Sequence, residues 1–411
     1  MLNFFIVFIE KPKTLATCVI ATASLVAMMS VLAPMSKQSV DAQMMMGHTS
    51  GKANYVVKDI YLYRDNTNLQ AEGIEKDFEL AYPPTAVAAA PINQNNPSGG
   101  GTMLKRVQII PLPNVNGRID HMSIDLQSKR LFIAELGNNS LDVVDLRSGK
   151  RIGSISTGLN EPQGVMYIPE TNRIVVTNGA DGSVKFYDGS SFSTAGDDVK
   201  LTGDADNIRY DNGTRLLYVG YGDGAIAVIN ATTGKIIGDT KLDGHPESFQ
   251  LEKSGARIFV NVPSNHFIEV ADKQRLQVDS RWSTINVGAS ENFPMALDEL
   301  NHRLFVGFRD PAKVIVYDTK TGNEIASIDT ARDVDDIFYD STKGQIYVSA
   351  GEGFINIFKQ IDADHYGSVT KMATAQGART SLFVPELNRF YLAVPALGEQ
   401  QNAELWIYEV Q

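Results

Sequence analysis

Arg130-Leu131-Phe132-Ile133-Ala134 is the first of seven near-copies of one short segment. RIVVT follows from Arg173, RLLYV from Arg215, RIFVN from Arg257, RLFVG from Arg303, QIYVS from Gln345 and RFYLA from Arg389. Successive copies start 43, 42, 42, 46, 42 and 44 residues apart. A period in the low forties, with several short apolar strands per unit, marks the blades of a β-propeller. The chain is therefore expected to be all-β, a seven-bladed β-propeller over residues 104–411.

Each unit reads as strand A, a turn, strand B (the quoted segment), a Gly-rich turn, strand C, a second turn and strand D. The pairs Asn138-Asn139, Asp181-Gly182 and Asp223-Gly224 between B and C accept the positive φ of tight hairpins. The last repeat stops at AELWIYEVQ, its strand C. The missing fourth strand is expected from the other end, at Lys105–Leu112, so that an N-terminal strand pairs with the C-terminal blade and no sheet edge stays open.

Ahead of the repeats, positions 15–33 are apolar or small throughout, with Lys11 and Lys13 before them and Ser39-Val40-Asp41-Ala42 after. Residues 1–42 read as a signal peptide cleaved near Ala42, or alternatively as an uncleaved anchor. Either places the propeller outside the cytoplasm, secreted or at the cell surface, and membrane contact would run through that segment alone. Residues 43–103 end in AVAAAPINQNNPSGGG and read as a flexible tether. The net charge of −11 argues against nucleic acid as a partner. Cys18 is the only cysteine and sits in the apolar segment, so the rest has no disulfide, thiolate nucleophile or Cys-based metal centre.

Strand A lies innermost in a blade, and its start faces the mouth of the central channel. Aligning the repeats gives one column there of Asp120, Gln163, Asp206, Glu247, Phe293, Asp335 and Arg379. The next is His121, Gly164, Asn207, Ser248, Pro294, Asp336 and Thr380. Four carboxylates facing one axis repel unless a cation or cationic group joins them. The candidate ligand-binding residues are thus Asp120, His121, Gln163, Asp206, Asn207, His245, Glu247, Asp335, Asp336 and Arg379. Asp206, Glu247, Asp335, His121 and His245 are the candidates for a divalent cation. Oxygen-rich rings suit Ca²⁺ or Mg²⁺, whereas added histidine admits a transition metal. The competing reading is an ordinary solvated channel, its polar groups satisfied by water. No GxSxG or HExxH occurs.

RIVVTNGADGSVKFYD at 173–188 and RLLYVGYGDGAIAVINATTGK at 215–235 resemble the YVTN-type propeller repeats of secreted and cell-surface proteins of bacteria and archaea. GRIDHMSID, EPQGVMYIPE, DADNIRYD and HPESFQLEKSG resemble one exported subgroup of that family. The resemblance spans about residues 105–411. It implies the fold and an extracytoplasmic place, and brings no catalytic residues with it. The first expectation is an exported, non-catalytic binding or interaction protein, with an extracellular protein, small ligand or cation at the channel mouth. One alternative is a metal-dependent lactonase or hydrolase, its cation polarising a carbonyl while Asp335, Glu247 or His245 acts as base. The other is a structural surface-layer component.

Overall fold

A computed structural model describes residues 43–49, 52–58, 77–80, 103–396 and 402–411. The signal or anchor expected at 1–42 lies outside these residues. The chain divides into two compact units, Met1–Ser98 and Gly99–Gln411. In the first, Gln43–Thr49, Lys52–Lys58 and Asp77–Leu80 form an antiparallel sheet with Lys52–Lys58 in the middle. Among the described residues no helix is long and apolar enough to cross a membrane.

The second unit is built of seven four-stranded antiparallel sheets, the blades of a propeller. Blade 1 runs Met122–Asp125 (strand A), Arg130–Glu135 (B), Ser140–Asp145 (C) and Lys150–Ile155 (D). The inner strands of blades 2 to 6 are Pro162–Ile168, Ile208–Asp211, Phe249–Leu251, Ser290–Asp298 and Val334–Asp340. In blade 7, Ser381–Val384, Arg389–Val394 and Ala403–Val410 are followed by Leu104–Leu112 from the start of the unit. Ala403 lies opposite Leu112 and Val410 opposite Leu104.

Burial explains why the B segments are so uniformly apolar. Both faces of strand B are covered by neighbouring blades, so it reads as a continuous hydrophobic run instead of an alternating one. Leu131, Phe132, Ile133 and Ala134 are all fully buried. Outer strand Lys150–Ile155 instead alternates exposed and half-buried positions until its last residue. Aromatic rings bridge adjacent blades: Phe132 stacks on Tyr167 at 5.5 Å, and Phe305 meets Tyr339 at 5.2 Å.

The arginine that opens most B segments has its own task. Arg130, Arg173, Arg257 and Arg303 each donate to a backbone carbonyl in the C–D turn of the next blade, at Gly189, Thr232, Thr319 and Ala363. A matching set of bonds runs along the opposite rim. Thr177, Asn207, Asn261, Ser349 and Thr380 donate to the carbonyls of Asp206, Glu247, Phe293, Arg379 and Ile119, each in the next blade. These side-chain bonds fix the angle between sheets that share no backbone ladder.

Candidate functional site

The start of each inner strand carries a local irregularity that creates the site. Asp120 donates its N–H to the Ala134 carbonyl while the Ala134 N–H donates to His121, so two residues oppose one. The same two-against-one pattern recurs at Asp206-Asn207 against Gly220 and at Glu247-Ser248 against Asn261. This is a β-bulge, which bends the strand and re-aims side chains. Regular alternation would send neighbouring residues to opposite faces. The bulge instead lets Asp120 and His121 line one cavity, as do Asp335 and Asp336. That cavity has a volume of about 570 Å³ and takes wall residues from all seven inner strands.

The two sides of the mouth differ. On the side of blades 1 and 3, Asp120 Oδ2 lies 2.7 Å from the Arg118 guanidinium, whose side chain is 45% exposed. His121 Nε2 lies 3.6 Å from Asp120 Oδ1 and 3.8 Å from Asp206 Oδ1. One ligand atom from each of these three residues lies within 4.8 Å of the others. Asp206 is only 7% exposed, and its Oδ1 has no hydrogen-bond partner among the described residues. Between the two acids stands blade 2 with Gly164. A Cβ there would meet the Asp206 carbonyl oxygen at 2.3 Å and Thr177 Oγ1 at 2.5 Å.

Where blades 5, 6 and 7 meet, the acids are clamped. Arg309 pairs with Asp335 Oδ1, donates its Nε–H to the Val334 carbonyl at 2.9 Å and covers the Phe293 ring at 3.6 Å. Arg379 adds Nη1 to Asp333 Oδ1 at 2.7 Å and Nε to Asp335 Oδ2 at 3.3 Å.

Charge follows this division. Burial first, then the charges of Asp120 and Glu247, push the Asp206 carboxyl well above the usual range. Burial likewise raises Glu247, with Asp335 adding to it and His245 and Arg309 opposing. Burial, then Asp335, pushes Asp336 well up, although its carboxylate accepts the Ser381 N–H at 2.6 Å. Burial lowers His121, with Asp120 opposing the shift. Burial acts against the Arg118 charge, but Asp120, Asp335, Asp206 and Glu247 outweigh it and hold the guanidinium above its ordinary value.

Of the residues expected to hold a cation, the structure brings His121 and Asp206 together and adds Asp120. Asp335 is taken up by arginines, and Glu247 lines the cavity half-buried. His245 points elsewhere: its Nδ1 donates to the Gly222 carbonyl at 2.7 Å, and its Nε2 lies 3.7 Å from Asp204. Gln163 also binds Asp204, at 2.9 Å. Asn207 spends its amide on the Glu247 carbonyl and so acts as an inter-blade tie.

Four basic or acidic participants escaped the column reading: Arg118, Arg209, Arg309 and Asp333. Arg209 had a signal. Its position in the alignment, shared by Ser123, Met166, Gln250, Ala296, Phe338 and Leu382, faces the channel throughout. Arg309 had none of that kind, because it ends strand B, Arg303–Asp310, and reaches the mouth through that strand's extra length.

No family model matches the chain, and no curated protein does. Among solved structures it is similar to a chain of the "Crystal Structure of Mitotic Checkpoint Complex", with a TM-score of 0.61 and 13% identity, over 83% of this chain and 98% of that one. That likeness is one of fold. As many as 1590 solved chains match, so the shape is too widely used to carry an activity.

Proposed function

We propose that this propeller is an exported, non-catalytic binding protein whose ligand, a cation or a group bearing positive charge, sits at the acidic side of the channel mouth. The observation that carries the reading is the buried, unpartnered Asp206 oxygen facing Asp120 and His121 in an open cavity. Export is supported by the apolar run at 15–33 and the YVTN-like repeats. Ring closure by the N-terminal strand belongs to the same reading. It is supported by the register of Leu104–Leu112 on Ala403–Val410 and by the Thr380 bond to Ile119.

The test is a thermal-shift panel of divalent cations and polyamines on the whole chain and on the Asp120→Asn/Asp206→Asn double variant. A ligand of this site stabilises the wild type by mass action and leaves the double variant unmoved. If no cation or polyamine separates the two proteins, the cationic-ligand reading is wrong. N-terminal sequencing of protein recovered outside the cytoplasm should start near Gln43, and recovery of most of it from cytoplasm would refute export.

A further inference from the structure

We propose that Asp120, His121 and Asp206 form a three-ligand site for a divalent transition cation of the Zn²⁺ class, its remaining coordination positions open to the channel. This rests on the reading of the mouth as the ligand seat and narrows it to one chemistry. His121 Nε2 is 3.6 Å from Asp120 Oδ1 and 3.8 Å from Asp206 Oδ1. Bonds of about 2.0–2.2 Å in a tetrahedron separate neighbouring ligand atoms by roughly 3.4 Å, so both His121–carboxylate separations are within a few tenths of an ångström of that value, and all three ligand atoms lie within 4.8 Å of one another.

The two carboxylates are divided in a way that suits this role. Arg118 lies 2.7 Å from Asp120 Oδ2 as an ion pair without hydrogen-bond geometry, and Oδ1 lies on the His121 side. Asp206 offers an oxygen that is buried and has no partner among the described residues, an arrangement that costs stability until something meets it. The imidazole decides the ion. Ca²⁺ takes six to eight oxygens, whereas one nitrogen with two carboxylate oxygens suits Zn²⁺ and its first-row neighbours. Arg309 and Arg379 are paired with Asp333 and Asp335 and do not occupy the set.

The experiment is calorimetric titration of the chelator-stripped whole chain with Zn²⁺, Ca²⁺, Mg²⁺ and spermidine. Zn²⁺ should bind one to one. His121→Gln should weaken it by more than about tenfold, the scale at which even outer partners of a metal ligand matter. His245→Gln should leave it unchanged. As a check that needs no variant, Co²⁺ added to the wild type should give visible d–d bands of a low-coordinate site. Zn²⁺ binding that survives His121→Gln, or Co²⁺ that stays spectroscopically octahedral, overturns the proposal. Binding of Ca²⁺ or spermidine alone overturns it too, yet keeps the ligand seat. Binding of no cation at all removes both.

Discussion

Asp206 and Asp335 occupy the same alignment column, yet among the described residues Asp206 Oδ1 has no hydrogen-bond partner while Asp335 pairs with two arginines. Asp335 is met by Arg309 and Arg379, while Asp206 faces Asp120, with His121 nearest. The column fixes where each side chain points. What each then does depends on residues outside the column: the end of strand B in blade 5 and a left-handed turn before blade 6, where Asp333 has a φ of 60°. Such a conformation costs about 1–3 kcal/mol in a non-glycine residue and tends to persist only where the surroundings impose it. Here the arginine clamp on the Asp333 carboxylate is such a constraint.

The largest effect expected is one of pH, and it shows what burial of an acid does where no channel ligand is involved. Glu135 in blade 1 is fully buried, and burial, then Asp142, push it up to about 8; Ser140 and Arg151 oppose the shift. Burial, then Asp243, raise Glu269 in blade 4 to about 7. Folding thus raises both values above the ordinary 4.5, and the folded state holds the extra protons. Their contribution to stability is full below about pH 4.5 and is lost as pH rises through the folded values. Urea unfolding should show the chain weaker at pH 9 than at pH 5 by on the order of 5 kcal/mol. Glu135→Gln should flatten part of that slope. Equal stability at the two pH values would contradict buried protonated acids.

Next in size is the clamp itself. Arg309→Ala removes an ion pair, a carbonyl bond to blade 6 and the cover on Phe293, and should cost about 2–3 kcal/mol in chemical denaturation. Arg118→Ala removes a single ion pair, between a guanidinium whose side chain is 45% exposed and a buried Asp120, and should cost less, about 1–2 kcal/mol. Equal costs would erase the distinction between the two sides.

The smallest effect is the sharpest, because it concerns sign. Without metal, Asp206→Asn should stabilise the fold and raise the melting midpoint, and Asp335→Asn should destabilise it and lower the midpoint, each by a free energy of roughly 1 kcal/mol. Two changes of the same kind in one column would then act in opposite directions. If both lower the midpoint, Asp206 has a counter-ion that its present neighbours do not reveal.

The blades were legible because a strand covered on both faces must be apolar along its length, and Leu131 to Ala134 announce that directly. The mouth was legible because the start of strand A changes from apolar to polar in register across repeats. The bulge was not, since nothing in Asp120-His121 as letters says that both face one side. Nor was the sorting of acids into clamped and free, which depends on an arginine that comes to the mouth from another strand, Arg309, beside the Arg379 of the column. His245 shows the reverse error: near the column in sequence, it turns to Gly222 and Asp204.

Gly164 gives the acidic side its calibre. The residue supplies no atom to the proposed set, yet the hydrogen in place of a methyl group is what lets the inner strand of blade 3 come to rest against that of blade 2. Gly164→Ala would push the Asp206 backbone outward, and Asp120 and His121, on blade 1, would not follow. The aperture between the two acids would widen with every ligand still present. If the proposed set holds an ion, its size would be set in part at a position that never touches it.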